Sequence, residues 1–67
     1  MLHIETECEE DGRWIAEVTA LPGVLVYGST EDEARMRVKA LALRVIADRI
    51  ENNEALPNEL MGVFEPA

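Results

Sequence analysis

Leu21-Pro22-Gly23-Val24-Leu25-Val26-Tyr27-Gly28-Ser29-Thr30-Glu31-Asp32-Glu33-Ala34 holds a turn, a short strand and a helix start in one line. Pro22 presets one φ angle, and Gly23 supplies the positive φ that a type II turn requires. Val24 to Tyr27 is a β-branched and aromatic run, which predicts a strand. Gly28 lets the chain turn again. Thr30-Glu31-Asp32-Glu33 reads as a capping box: the Thr30 hydroxyl accepts from the backbone of Glu33, and the Glu33 carboxylate reaches back to Thr30. Three acids in that first turn also suit the positive end of a helix dipole. The chain before this stretch is therefore strand, and the chain after it is helix and tail.

Upstream, Leu2, Ile4, Thr6 and Cys8 alternate with His3, Glu5, Glu7 and Glu9, the pattern of a half-buried strand. Trp14, Ala16, Val18 and Ala20 alternate likewise, and Asp11-Gly12 between the two runs signals a hairpin. The register comes from the faces. A two-residue loop would pair even positions with odd ones and set the two apolar faces at odds. A three-residue loop, Glu10-Asp11-Gly12 with Gly12 left-handed, pairs Glu9 with Arg13, Cys8 with Trp14, Thr6 with Ala16 and Ile4 with Val18. All apolar positions then share one face, which a one-residue slip would break. The expected turn is type I with a G1 bulge, and Glu9 opposite Arg13 forms a favourable cross-strand pair. Cys8 and Trp14 are expected in the core; His3 falls on the polar side.

Downstream, a helix is predicted from about Glu31 to Asn52, with Asn52-Asn53 supplying a left-handed C-cap. Its apolar residues form two stripes. Ala34, Val38, Leu41 and Val45 fall on one side; Met36, Ala40, Leu43, Ala47 and Ile50 fall nearly opposite. A surface helix shows one stripe, so two stripes imply two partners. One covers the sheet, and the second is assigned to self-association. Glu54 to Glu59 reads as a loop around Pro57, and Leu60 to Phe64 as a short final strand ended by Pro66. A right-handed crossover through the helix returns that strand beside the first. The expectation is one α+β domain over residues 1–67, two-layered, β-β-β-α-β, an antiparallel meander with one long helix on one face.

Sixty-seven residues build one marginal core, so a small domain of this size calls for a staple or a partner. Cys8 is the only cysteine and His3 the only histidine, which excludes an internal disulfide and a Cys/His metal cluster. No signal-peptide pattern or membrane-length apolar run is present, so a cytoplasmic location is expected. The net charge is −8, unevenly placed: residues 35–50 hold five of the six bases, and residues 1–34 hold nine of the fourteen acids. Such a balance opposes approach to nucleic-acid phosphates and attracts basic proteins. Arg44 and Arg49 lie toward the helix C-terminus, where cations complement the dipole without any nucleic acid.

The series Glu10-Asp11-Gly12-Arg13-Trp14-Ile15-Ala16-Glu17-Val18, then Leu21-Pro22-Gly23-Val24, then Tyr27-Gly28-Ser29-Thr30-Glu31-Asp32-Glu33-Ala34 resembles the HicB family of antitoxins and their stand-alone relatives. The likeness spans roughly residues 3 to 57. Val24 stands where the family often has Cys, and Ser29 where it often has Asp. The resemblance implies a partial ribonuclease-H-like fold and a toxin-neutralising role toward HicA, a small basic toxin that cleaves mRNA. Many members add a ribbon-helix-helix or helix-turn-helix segment for operator DNA; no stretch of these residues matches one, so direct DNA binding is not expected.

The leading expectation is thus an interaction protein rather than an enzyme, without cofactor or metal, since nucleophile–base pair, metal cluster and phosphate loop are all missing from the sequence. Glu5, Glu7, Glu9 and Glu17 are the candidate contacts with the toxin. The alternative is a stand-alone oligomeric HicB-like binding module of unknown ligand.

Overall fold

The computed structural model of the chain describes residues 2–57 and 60. Three strands, β1 (Ile4–Cys8), β2 (Trp14–Val18) and β3 (Leu25–Gly28), form an antiparallel sheet in the order β1-β2-β3. One helix, α1 (Glu31–Glu51), comes next and packs on one face. The architecture is a small α+β meander-plus-helix. The expected final strand over Leu60–Phe64 lies, apart from Leu60, outside the described residues. Leu60 itself is buried in a 3₁₀ turn, its N–H donating to the Pro57 carbonyl at 2.9 Å.

The first hairpin has the register that face-matching demands, with Ile4 opposite Val18, Thr6 opposite Ala16 and Cys8 opposite Trp14. The loop is Glu10-Asp11-Gly12. Gly12 has φ 90° and donates to the Glu9 carbonyl, and the Glu9 N–H donates to the Arg13 carbonyl. These are the marks of a turn followed by a G1 bulge. Arg13 turns to Asp11 instead of Glu9, its Nε donating to Oδ2 at 2.8 Å. The nearer carboxylate wins because the Arg13 backbone N–H already bonds it at 3.1 Å and holds it in place.

Pro22 and Gly23 close the second connection: Gly23 has φ 88°, and the Val24 N–H donates to the Leu21 carbonyl at 3.0 Å. The turn starts β3 one residue later than the β-branched run suggests, at Leu25. Gly28 meets the helix start. A Cβ built there would lie 2.6 Å from the Ala34 backbone nitrogen, so only glycine permits this approach.

Thr30 caps α1, its hydroxyl accepting from the Glu33 N–H at 3.1 Å. The return bond of the expected box is displaced: the Glu33 carboxylate accepts from the Ser29 N–H, one residue earlier, at 2.7 Å. Asn52 is the C-cap, and Asn53, at φ 56°, takes the left-handed position. The buried row of the helix is Ala34, Val38, Ala42 and Ile46. Leu41 and Val45, expected on that row, are only partly buried at its border. Three small residues, Ala16, Ala34 and Ala42, belong to a core completed by Val18, Leu21, Val24, Val38, Ile46 and Leu60. With so few large side chains, each counts: truncating fully buried Leu21 to Ala would remove about 2–5 kcal/mol.

Two expectations about this core are corrected. Cys8 is exposed. It ends an edge strand, and α1 begins over Thr6, whose hydroxyl donates to Glu31 Oε2 at 2.7 Å, so the helix does not reach Cys8. Trp14 is half-buried beside the core, at the same open end of the sheet.

Candidate functional site

With α1 on one face of the sheet, the odd-numbered residues of β1, β2 and β3 occupy the other. The registers set Glu5, Glu17 and Leu25 in one row and Glu7, Ile15 and Tyr27 in the next. Glu5, Glu7, Ile15 and Glu17, with Thr6, line one shallow recess. Leu25 and Tyr27 are 42% and 40% exposed, an apolar border on the third strand. The outer face is thus acidic on one side and apolar on the other.

The structure therefore brings together Glu5, Glu7 and Glu17 of the four expected contacts. Glu9 lies apart, half-buried at the hairpin end with Glu10, Asp11 and Arg13. Glu5 and Glu17 are direct cross-strand partners. Like charges directly opposite each other are destabilising; His3 Nε2 lies 3.6 Å from Glu5 Oε1.

Sequence reasoning passed over Ile15, Leu25 and Tyr27. Their odd parity was the available signal: Ile15 sits between Trp14 and Ala16, which point to the helix side, and the turn at Pro22-Gly23 sets Leu25 and Tyr27 on the same side as Ile15. Arg13 lies over the Tyr27 ring, its guanidinium carbon 4.5 Å from the centroid. It links the hairpin tip to β3 through a cation–π contact. Asp11 beside it titrates lower than an ordinary aspartate, chiefly because its carboxylate accepts from the Arg13 backbone N–H. Arg37 from the helix donates to the Tyr27 carbonyl at 3.0 Å, fixing the edge of β3 from behind.

The helix start is fixed by two more carboxylates. Glu31 is held below the usual glutamate range by the Thr6 hydroxyl first and Arg35 second. Glu33 is held below it by the Ser29 N–H, then by the charge of Arg37. Both act as acceptors, which anchors α1 to β1 and to the turn after β3.

Met36, Ala40, Leu43, Ala47 and Ile50, the residues assigned to self-association, are all exposed; Met36 and Leu43 are 69% and 67% exposed. Among the described residues no group of three or more His, Cys, Asp and Glu side chains is placed to hold a metal ion. No helix there is long and apolar enough to cross a membrane.

Among curated proteins, the chain matches the UPF0150 protein Ta0767 of Thermoplasma acidophilum, 33% identical over 51 residues, which is 76% of this chain and 74% of that protein. No family profile and no solved structure matches it.

Proposed function

We propose, because the chain belongs to the UPF0150 family, that it is a HicB-like antitoxin of a type II toxin–antitoxin system. UPF0150 proteins relate to HicB-like proteins, and this supports the reading. Its partner is a small basic HicA-type toxin that cleaves mRNA, and it acts in the cytoplasm by binding, with no bond-making residue and no cofactor. The fold in this reading is the partial ribonuclease-H-like one.

The observation that carries the proposal is the outer sheet face. Glu5 and Glu17 oppose each other there at a cost in stability, beside Glu7 and next to exposed Leu25 and Tyr27. A basic partner relieves the repulsion, and the apolar border gives it something to bury. Complementary charge of this kind speeds encounter and selects the partner. The net charge of −8 extends the attraction beyond the contact itself.

The test is purification of the tagged chain from its native host at moderate salt, with mass analysis of what stays bound. A small basic protein held in stoichiometric amount, and lost when Glu5, Glu7 and Glu17 are all changed to Lys, is the expected result. Retention by the triple variant removes the acidic face from the role. A clean preparation with no partner moves the function to a stand-alone HicB-like binding module.

A further inference from the structure

β3 is an edge of the described sheet, and its ladder with β2 fixes which of its backbone groups face outward. The Val18 N–H donates to the Val24 carbonyl at 3.1 Å, and the register, continued by one residue, sets those two opposite each other. Bonded and unbonded pairs alternate along an antiparallel ladder. Ala16 with Val26 and Trp14 with Gly28 are therefore bonded pairs, and the N–H and carbonyl groups of Leu25 and Tyr27 point away from β2. Arg37 marks the same direction from outside, donating to the Tyr27 carbonyl at 3.0 Å. Among the described residues no other loop, helix or side chain bonds this edge.

We infer that the free edge of β3 binds an extended segment of another protein as an added antiparallel strand, and that this segment carries an acid between two apolar residues. Such a strand exchanges both backbone bonds at Leu25. It does the same at Tyr27, because a carbonyl oxygen can accept twice and Arg37 occupies it once. Strand edges are ordinarily blunted by charge, proline or a bulge. β1, at the other edge, carries Glu5 and Glu7. Leu25–Gly28 has no charged residue and no proline, and its register with β2 is unbroken.

The pleat dictates the side chains of the occupant. Residues bonded to Leu25 and Tyr27 share their face of the sheet, beside two side chains that are 42% and 40% exposed. Apolar groups at those places bury that border. The residue between them, opposite Val26, turns to the helix side. Arg37 reaches the edge from that side. Its side chain is 59% exposed, Glu33 stands 3.7 Å away, and the bond to Tyr27 leaves most of its N–H donors open. A carboxylate at the middle position meets that guanidinium.

Two other occupants fit less well. A second copy, pairing through its own β3, brings another Arg37 to the edge in place of an acid, and another net charge of −8. The strand expected over Leu60–Phe64 belongs, by the right-handed crossover, beside β1 at the opposite edge. Binding at β3 uses none of Glu5, Glu7 and Glu17 and requires no toxin.

The experiment pans a display library of random linear peptides, about nine residues long, on the full chain, and follows backbone amide exchange by NMR with and without a selected peptide. In the chain alone the Leu25 and Tyr27 amides should exchange at least about tenfold faster than those of Val26 and Gly28, and bound peptide should slow them by about tenfold or more. Selected peptides should share the apolar–acid–apolar triplet, and Arg37→Gln should weaken their binding by about tenfold. Leu25→Pro should weaken it by about tenfold or more with an unchanged circular dichroism spectrum, because the Leu25 N–H takes no part in the ladder with β2. Should Leu25→Pro fail to fold, exchange on the wild type decides. A library that yields no binder overturns the inference. So do Leu25 and Tyr27 amides already slow in the chain alone, where a second copy or residues beyond Leu60 cover the edge. Selected peptides without the triplet, or a bound peptide that slows other amides instead, overturn it as well. Purification from the native host tests the antitoxin reading separately, so either can fail without the other.

Discussion

Glu5 and Glu17 stand directly opposite each other on β1 and β2, both on the sheet face that α1 leaves open. Opposed charges of the same sign at this spacing cost stability, and an ordinary soluble sheet would place a base at one of the two positions. Glu17→Lys should therefore raise stability by about 0.2–1 kcal/mol, the usual range for a cross-strand pair. In the proposed function the same change weakens capture of a basic partner. Urea denaturation of the wild type and the variant reads the first effect, and co-purification from the native host reads the second. A variant that is less stable than the wild type would mean that Glu17 has a favourable contact of its own.

Gly28 should tolerate no side chain. Its alanine Cβ would come within 2.9 Å of two backbone atoms of Ala34, and backbone cannot swing aside. Overpacking of this kind costs about 1–3 kcal/mol. The entropy that alanine removes from the unfolded chain returns only about 0.4–1 kcal/mol. The net effect of Gly28→Ala is thus destabilising, seen as a lower Tm; in a domain of this size each kcal/mol moves Tm by about 4–8 °C. An unchanged Tm would show that the turn before α1 can open without loss.

Acid should loosen the helix start before the rest of the fold. Glu31, Glu33 and Asp11 all titrate lower in the folded protein than as free side chains. A depressed carboxyl contributes its stability in full above its ordinary pKa, about 4.3 for glutamate and 3.9 for aspartate. That contribution fades as pH falls through the ordinary value toward the lowered one, and is gone below it. The urea midpoint should hold between about pH 7 and pH 6 and fall below about pH 5. Glu33→Gln, which keeps the acceptor and removes the charge, should flatten that fall; a pH profile identical to the wild type would exclude Glu33 from it.

Cys8 should react under native conditions. The side chain is exposed, and its thiol donates to the neighbouring Glu9 carbonyl at 3.6 Å. A thiol reagent in buffer should label one cysteine per chain without denaturant. Labelling that appears only in denaturant would place Cys8 in the core, where its alternation with Leu2, Ile4 and Thr6 puts it on sequence grounds.

Local rules decided much of this protein from the sequence alone. The left-handed positions at Gly12 and Gly23, the Thr30 cap and the left-handed Asn53 each depend on a few neighbouring residues, whose chemistry leaves one conformation open. The β1–β2 register is nearly as local, because side chains alternate with a period of two and a short loop admits only one matching of the faces. Where α1 ends up relative to the sheet is a different kind of fact. The helix begins over Thr6 and not over Cys8, so Cys8 is left in water and Trp14 half covered. The buried row runs through Ala34, Val38, Ala42 and Ile46, and Ala34 at its start packs directly on Gly28, a contact between positions that no local pattern links. The acidic and apolar outer face likewise exists only once three strands lie side by side. Nothing beside Glu17 in the chain marks it, and it becomes a neighbour of Glu5 through the hairpin and of Leu25 through the second turn. Contacts between residues distant in the chain are fixed by packing, and packing is a property of the assembled layers.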